Sequence, residues 1–370
     1  MDALILADDL TGACDAAVQF RMRGVTTVVT VTPEFLLPSS WDVFAVNCET
    51  RDLVARERER RIRKVARNLA SHSPKLVFKK IDSMMRGNPG FEILAAMDAF
   101  DCDIALITPA FPEMGRFVRD GYLQVDSQSS WLPIEVAGHL RMQGLDTCLH
   151  VSAADLSSAI EGGERYISVD TTCREDLDAV VMTALPSNRR ILWAGSAGLA
   201  SAVASAIFSA SPRLRAPPPR TGLPVLFCIG SDHPVTAAQV SALARHYSLQ
   251  VFEAAQTSAG QIIETLGQGK HVIVALDCRE ISSEQIQRLF QEVKLRVSAL
   301  ALSGGTTAAL VCGALQAAAI DLQDEIITGL PWGFLMGGCW DRIPVATKSG
   351  AFGGSRALIQ LADSFICPNQ

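Results

Sequence analysis

Charged side chains in the first third of the chain follow short apolar runs, at positions that could bind and activate an anionic substrate. Asp8 and Asp9 end the run "ALILADD", Arg51 follows "VFAVNCET", and Lys79, Lys80 and Asp82 end "LVFKKIDS". Arginine can bind a carboxylate through two parallel hydrogen bonds, and lysine supplies a point charge. An aspartate nearby could orient a hydroxyl or accept its proton. These residue types predict a site for an anion that carries hydroxyl groups.

The same residues also have a purely structural interpretation. Asp8 or Asp9 could cap a helix that begins near Thr11 and ends at Gly24. The cations could form exposed ion pairs that bind nothing. Position along the chain leaves both interpretations open.

Three loops in the second half of the chain combine glycine with hydroxyl side chains. They are "GSDHP" with Ser231, "SGGTTA" with Gly304 to Thr307, and "TKSGAFGG" with Gly350. Glycine permits close backbone approach, and the N–H groups that begin a helix attract anions. Each loop alone is more often a tight turn, but three together favour a phosphate site. None has the GxxxxGK[ST] or GxGxxG spacing, so neither a P-loop nor a dinucleotide fingerprint is present.

The elements that must position these residues alternate along the chain. β-branched runs are followed by helical patterns, which indicates parallel sheets covered by helices on both faces. In such sheets ligands bind beyond the carboxyl ends of the strands. The stretch "SPRLRAPPPRTGLP" is too rich in proline to continue either element. We therefore expect an α/β protein of two domains, 1–212 and 225–370, joined by a linker at 213–224, with the active site in the cleft between them.

Composition narrows the function class. The net charge of −6 and the absence of a Lys/Arg tract argue against a nucleic-acid or membrane partner. The ten cysteines include no CxxC pair, and the opening "MDALILADD" does not look like a secretory signal, so we expect a cytoplasmic protein. Two uncharged stretches, 191–212 and 297–320, are broken by small polar residues and are expected to be strand–turn–helix units.

The motifs taken together resemble the four-carbon acid sugar kinases, which include the D-threonate, D-erythronate and 3-oxo-tetronate kinases. The resemblance covers nearly the whole chain, in order, through "ADDLTGACDAA", "NCETR", "KKIDSMMRGNPG", "PAFPEMGR", "GSAGLA", "GSDHPVTAAQV", "SGGTTA" and "TKSGAFGG". It implies that the N-terminal domain holds the acid sugar and the C-terminal domain holds ATP. It also implies transfer of a phosphoryl group to a hydroxyl, the 4-hydroxyl of a four-carbon aldonate, with Mg²⁺ neutralising the developing charge.

The resemblance also implies roles for particular residues. The residues implied to contact the acid sugar are Asp9, Arg51, Lys79, Lys80, Ile81, Asp82 and Arg86. Asp9 and Asp82 are the two candidates for a catalytic aspartate. The residues implied to contact ATP are Ser231, Gly304, Gly305, Thr306, Thr307 and Gly350.

Two departures from the family pattern fall within these motifs. The family's "KIDSTLRG" reads "KIDSMMRG" here, with Met84 and Met85 in place of a Thr-Leu pair. Its "GGDT" or "GGET" reads "GGTT", so Thr306 stands where a carboxylate is usual. If that acid helps to hold Mg²⁺, another ligand is needed here, and the metal ligands are left unassigned.

Two alternatives remain open at the level of the sequence. One is a non-catalytic sensor of acid sugars or nucleotides, and the other is an NAD-dependent hydroxy-acid dehydrogenase, against which the missing GxGxxG counts. The sequence also leaves open the substrate's stereochemistry and the oligomeric state, with a homodimer among the alternatives.

Overall fold

The computed structural model describes residues 1–34, 41–126, 132–208, 217–290 and 293–366. The chain divides into two compact units, the first made of Met1–Thr27 and Leu37–Arg213 and the second of Val28–Leu36 and Leu214–Gln370. The second unit thus includes a segment from the N-terminal part of the chain. Residues 213–216 of the expected linker lie outside the described residues, and the linker stays a prediction.

The strands of the described chain are short. They are β1 (Ala3–Ala7), β2 (Thr27–Thr30), β3 (Val43–Asn47), β4 (Leu76–Lys80), β5 (Ile104–Thr108), β6 (Arg116–Arg119), β7 (Tyr122–Val125), β8 (Ile134–Glu135), β9 (Leu149–Val151), β10 (Tyr166–Val169), β11 (Ile191–Gly195), β12 (Val225–Ile229), β13 (Val251–Glu253), β14 (Val272–Ala275), β15 (Ala299–Ser303), β16 (Ala319–Glu325), β17 (Pro331–Met336) and β18 (Pro344–Lys348).

Helices follow most of these strands. They are α1 (Leu10–Arg21), α2 (Ala55–Ala70), α3 (Pro89–Ala99), α4 (Val136–Arg141), α5 (Leu156–Glu161), α6 (Arg174–Ala184), α7 (Ala197–Ile207), α8 (Pro234–Tyr247), α9 (Ala259–Gly267), α10 (Ser283–Phe290), α11 (Gly305–Ala314) and α12 (Ala357–Phe365).

The first unit contains a parallel sheet whose strands lie in the order β3-β1-β4-β11-β5-β10-β9. Its central strands β1, β4 and β5 are buried along their whole length, which explains why they are near-continuous apolar runs. A separate antiparallel sheet of β6, β7 and β8 turns at Asp120 and Gly121, both with positive φ. Asp-Gly is a favoured pair for such a hairpin turn.

The second unit contains the strand order β13-β14-β12-β15-β18-β17-β16-β2. Strands β13, β14, β12, β15 and β18 are parallel, whereas β17, β16 and β2 continue the sheet by antiparallel pairing. Strand β2 pairs with β16 through Thr30 opposite Ala319. The run "TTVVTVT", placed in the first domain by its position in the sequence, therefore supplies a strand to the second unit from Val28 onwards.

The expected α/β class, with mostly parallel sheets flanked by helices, is confirmed. The two uncharged stretches form β11 followed by α7 and β15 followed by α11, as expected. Among the described residues, no helix combines the length and apolar character that crossing a membrane requires. One helix differs slightly from expectation: α1 ends at Arg21, three residues before Gly24.

Candidate functional site

Asp8, Asp9 and Arg51 form one buried charged cluster in the first unit. Strand β1 ends at Ala7, and its parallel neighbour β3 carries the chain to Arg51, so both strands deliver charges to the same edge. The Arg51 guanidinium donates to Asp8 Oδ2 from Nε at 2.7 Å and to Asp8 Oδ1 from Nη2 at 2.8 Å. Its Nη1 pairs with Asp9 Oδ2. The expected cation at this strand end is present, and carboxylates of the protein itself hold it.

Asp9 has the capping role that the structural interpretation assigned to one of the two aspartates. Its Oδ1 accepts from the Gly12 N–H at 2.6 Å, and its extended backbone places it as the N-cap of α1. A Cβ built on Gly12 would lie 2.7 Å from Asp9 Oδ1, so glycine lets the cap approach closely. Helix capping and pairing with Arg51 thus both engage Asp9, whereas Asp8 pairs with Arg51 and does not cap.

The ionisation of the two neighbouring aspartates differs. Burial would raise the pKa of Asp8, but the positive charges of Arg51 and Lys79 outweigh burial and hold the pKa below its ordinary value. For Asp9, burial and the Asp8 carboxylate together raise the pKa, against the opposing effect of Arg51. Adjacent carboxylates that share one cation cannot both be fully compensated, so the two aspartates are electrostatically distinct.

Lys79 and Lys80 are adjacent on β4, and their side chains have different partners because side chains alternate along a strand. Lys79 Nζ lies 2.7 Å from Glu92 Oε2 of α3, with both side chains almost fully buried. It also donates to the carbonyls of Leu6 and Lys80. The Lys79 ammonium is therefore engaged in a core ion pair, and we do not propose that it contacts the substrate.

Lys80 has different surroundings. Its Nζ donates to the Ile81 carbonyl at 3.0 Å and makes no ion pair with a described residue. A Cβ at Gly12 would lie 3.5 Å from this nitrogen, so the ammonium lies against the first turn of α1, beside the Asp9 cap. Ile81, also expected at the site, is buried, and its N–H donates to the Gly195 carbonyl. Lys80 is a buried cation of the cluster with capacity for a ligand.

Asp82 organises the loop that follows β4. Its Oδ1 accepts from the backbone N–H groups of Met84 and Arg86, and both of its oxygens accept from the Arg86 guanidinium, at 2.9 and 2.6 Å. Burial would raise the pKa of Asp82, but Arg51 and Arg86 together hold it far below its ordinary value. Met85 in this loop has φ +58, a left-handed conformation that is uncommon outside glycine. Arg51 Nη2 lies 3.6 Å from Asp82, which joins the loop to the cluster.

We expect Lys79→Met and Lys80→Met to have different effects. Lys79→Met leaves the Glu92 carboxylate buried and unpaired and should lower the free energy of unfolding by about 3 kcal/mol. Lys80→Met removes no ion pair and should raise KM for the acid sugar roughly tenfold or more, while unfolding changes by less than about 1 kcal/mol. Urea unfolding and steady-state kinetics of both variants check this. Equal effects of the two variants on unfolding and on KM would contradict a structural role for Lys79 and a binding role for Lys80.

The three glycine loops of the second unit come together around Ser231. A Cβ on Gly350 would overlap the Ser231 hydroxyl and lie 3.1 Å from Ser231 Cβ. A Cβ on Gly304, which has φ +106, would lie 3.6 Å from the Ser231 nitrogen. Thr236 Oγ1 donates to the Gly350 carbonyl at 2.7 Å and links the loops further. The structure thus brings Ser231, Gly304 and Gly350 into one small region.

Gly304 is the N-cap of α11, and Gly305, Thr306 and Thr307 form its first turn. The first N–H groups of a helix have no acceptor within the helix and carry its positive dipole end, which suits a phosphate oxygen. Thr306 is exposed, whereas Thr307 is buried, and a Cβ on Gly230 would overlap the Thr307 hydroxyl. Thr307 therefore packs on the loop after β12, and Thr306 faces outward.

Lys348 is a residue of this region that sequence reasoning placed in a glycine loop without assigning it a role. It ends β18 and is buried, with Nζ donating to the carbonyls of Ser349 at 2.8 Å, Gly350 at 3.1 Å and Phe352 at 3.4 Å. Burial lowers its pKa to about 7. The ammonium draws the carbonyls of the 349–352 loop inward, which fixes the loop's conformation.

Lys348→Met should loosen the loop that Gly350 belongs to. We expect KM for ATP to rise about tenfold, with KM for the acid sugar within about twofold, because three hydrogen bonds of the loop are lost. Steady-state kinetics with each substrate varied in turn measures both values. Lys270→Met is the control, since Lys270 is an exposed lysine of the same unit. A tenfold rise in KM for the acid sugar with KM for ATP unchanged would contradict the role of Lys348.

The described residues contain no group of three His, Cys, Asp or Glu side chains that could hold a metal ion. Thr306, where the resemblance leads to the expectation of a carboxylate, supplies none. Mg²⁺ usually binds through substrate phosphates and retained waters, with one or two carboxylates.

Both halves of the chain match known family models. A sugar-binding N-terminal domain matches residues 3–134, and a nucleotide-binding C-terminal domain matches residues 226–358. A D-erythronate kinase of Heliobacterium modesticaldum is 27% identical to this chain, with 99% of this chain and 97% of the relative covered. A D-threonate kinase of Salmonella typhimurium is 28% identical, with 97% of each covered. The resemblance to the four-carbon acid sugar kinases is thus confirmed over nearly the whole chain.

The similarity to these named kinases confirms the expected class, a sugar-acid kinase. The charged cluster of residues 8–86 lies inside the match to the sugar-binding domain, and Ser231, Gly304 and Gly350 lie inside the match to the nucleotide-binding domain. The crystal structure of the Haemophilus influenzae protein HI1011 has the same fold. It has a TM-score of 0.72 at 21% identity and covers 98% of this chain and 100% of its own.

Proposed function

We propose that this protein is an ATP-dependent kinase that phosphorylates a hydroxyl, the 4-hydroxyl, of a four-carbon sugar acid such as D-threonate, D-erythronate or a 3-oxo-tetronate. The match to both family models carries the proposal, because the buried charged cluster falls in one match and the glycine loops in the other. Relatives that match along nearly the whole chain are named for kinases of these acids.

The acid sugar would bind to the charged cluster of the first unit. Arg51, Lys79 and Arg86 are each paired with carboxylates of the protein, whereas Lys80 makes no ion pair with a described residue. Lys80 would therefore take the substrate carboxylate. Arg51 would act by holding Asp8 and Asp9 in place, a change from the direct carboxylate contact that its residue type suggested. Asp9, Asp82 and Arg86 would orient the substrate at the edge of the cluster.

The phosphates of ATP would bind where the three glycine loops meet. The first turn of α11, from Gly305 to Thr307, offers N–H groups, and Ser231 offers a hydroxyl beside Gly304 and Gly350. Backbone donors that are fixed in advance stabilise developing charge without reorganising during the reaction. Mg²⁺ would enter with the nucleotide, and we assign it no protein ligand.

An ATP-consumption screen tests the proposed function. The purified protein is assayed with ATP and Mg²⁺ against D- and L-threonate, D- and L-erythronate and 3-oxo-tetronates. We expect acid-dependent ADP formation with at least one of them and a product phosphate on the 4-hydroxyl by NMR. Tight binding of an acid without ADP formation would support a sensor instead. NAD(P)H formation with hydroxy acids would support a dehydrogenase.

A further inference from the structure

The aspartates expected to do chemistry are already engaged by donors of the protein. Asp9 accepts from Gly12 and pairs with Arg51, and Asp82 accepts from two backbone N–H groups and from Arg86. Arg51 and Arg86 hold the pKa of Asp82 far below its ordinary value, which makes that carboxylate a weak base. The pKa of Asp9 is raised, but both of its oxygens are already engaged, Oδ1 by the Gly12 N–H and Oδ2 by Arg51. The proton acceptor for a hydroxyl should have a carboxylate oxygen without such donors.

Asp15 on α1 has this property. Its side chain is 2% exposed, and its Oδ1 is buried with no hydrogen-bond partner in the described structure. Buried carboxylate oxygens are ordinarily hydrogen-bonded, so an orphaned one calls for an explanation. Asp15 lies three residues after Gly12, and side chains three apart share a helix face. This face of α1 is the one against which the Lys80 ammonium lies.

A buried cation and a buried carboxylate thus lie on neighbouring elements without forming an ion pair. Neither Asp15 nor Lys80 pairs with the other within salt-bridge distance in the described structure, although their charges interact. Two opposite charges taken out of water would normally be brought into contact. A substrate that presents an anionic group to Lys80 and a hydroxyl to Asp15 would satisfy both.

We propose that Asp15 is the carboxylate that accepts the hydroxyl proton of the acid sugar, an inference that rests on the proposed kinase function. As the hydroxyl oxygen bonds to the γ-phosphorus of ATP, the bond from that phosphorus to its bridging oxygen breaks. ADP leaves with the electron pair of that bond, and the hydroxyl proton passes to Asp15 and then to solvent. Asp9 and Asp82 then hold the substrate in position.

The electrostatic surroundings of Asp15 suit this task. Burial raises its pKa to about 7, with Asp9 before α1 and Asp82 after β4 adding to the effect. Lys80 on β4 and Arg116 on β6 oppose it. A base whose pKa lies near the working pH combines a useful ionised fraction with the ability to hold a proton.

The test compares Asp15→Asn with wild type and with Asp9→Asn. For wild type we expect kcat/KM to fall below about pH 7, as the acceptor becomes protonated. Asp15→Asn should lower kcat by roughly 10²- to 10⁴-fold and abolish the part of this fall that Asp15 causes. Asp9→Asn should retain an acidic fall because its acceptor is intact, but at lower pH, since the Asp9 charge that helps to raise the pKa of Asp15 is gone. It therefore serves as the matched comparison.

Folding is checked separately. The folded state raises the pKa of Asp15 above its unfolded value, so the ionised form costs stability above pH 7 and the cost disappears as pH falls toward 4. Asparagine resembles the neutral form, and Asp15→Asn should therefore melt no lower than wild type at pH 8. If Asp15→Asn nevertheless fails to fold, the pH profiles of wild type and of Asp15→Ser decide. A wild-type kcat/KM that is flat from pH 5 to 8 overturns the proposal. An acidic fall that is present in wild type and absent in a folded Asp15→Ser supports it.

Two failures are distinguishable. If wild type phosphorylates no four-carbon acid with ATP, the proposed function and the role of Asp15 fail together. If wild type is active and Asp15→Asn keeps kcat within threefold, or shows the same acidic fall, the role of Asp15 alone is overturned and the kinase function stands.

Discussion

Arg51→Met is expected to destabilise the protein by about 5 kcal/mol at pH 7, because it leaves buried carboxylates without their cation. The Arg51 side chain is only 15% exposed and contacts Asp8, Asp9 and Asp82. Binding of the acid sugar should be lost with the arrangement of the cluster, whereas ATP binding should remain. Urea unfolding measures the stability, and calorimetry with each ligand measures the binding of the acid sugar and of ATP.

The destabilisation should also depend on pH. Arg51 helps to hold the pKa values of Asp8 and Asp82 below their ordinary values, so its stabilising effect is complete above pH 4 to 5 and is lost as these groups protonate. In Arg51→Met the pKa values of Asp8 and Asp82 rise. Protonation then relieves the repulsion between the buried carboxylates at a higher pH than in wild type. The difference in unfolding free energy between variant and wild type should therefore shrink from pH 7 toward pH 4.

The control for this experiment is Arg61→Met. Arg61 Nη1 lies 2.9 Å from Glu49 Oε2, but the two side chains are 37% and 34% exposed, respectively. A solvated ion pair of this kind contributes about 0 to 1 kcal/mol. Equal losses from Arg51→Met and Arg61→Met would mean that the buried cluster does not depend on its central cation.

Gly350→Ala is expected to weaken ATP binding by roughly 30- to 150-fold, or about 2–3 kcal/mol. The added methyl group would overlap the Ser231 hydroxyl and lie 3.1 Å from Ser231 Cβ and 3.5 Å from His233 Cβ. The loops around Ser231 would have to separate, which would displace the proposed phosphate donors. Acid-sugar binding, which the proposal places on the first unit, should be unchanged by calorimetry.

Gly354→Ala is the matched control in the same loop region. A Cβ on Gly354 would have no heavy atom within 4 Å. Gly354→Ala therefore adds the same methyl group without a steric overlap. It should leave ATP binding within about twofold of wild type. If Gly350→Ala is folded and binds ATP as the control does, the phosphates bind elsewhere.

The sequence predicted the placement of the charged residues better than their partners. Strand-end positions placed Asp9, Arg51, Lys80 and Asp82 at one edge because parallel strands end together. The structure joins Arg51 to Asp9 and Asp82, and also to Asp8, in one cluster. The partner of Lys79 was not predictable, since Glu92 comes from a helix whose packing is a tertiary property. Strand alternation alone, however, could have separated Lys79 from Lys80.

Elements with a polar pattern were harder to predict than the buried parallel strands. Strand β16 reads "AIDLQDE", with polar residues at four of its last five positions, so it lacks the apolar run that marked the other strands. The hairpin of β6 and β7 had a usable signal in Asp120-Gly121, a pair that favours a tight turn between two strands. The orphaned oxygen of Asp15 and the carbonyl ligands of Lys348 depend on packing that no local pattern reports.

The assignment of β2 to the second unit makes the order of synthesis matter for folding. Thr30 leaves the ribosome long before its partner Ala319, so the N-terminal strand must wait for almost the entire chain before it can pair. Until then β2 has no β16 to pair with, and unpaired strand edges are where chains add to one another. A fragment that begins after the proline-rich stretch would lack this strand permanently. The nucleotide-binding half is thus encoded in two separated pieces, and autonomous production of that half requires the short N-terminal piece to be supplied as well.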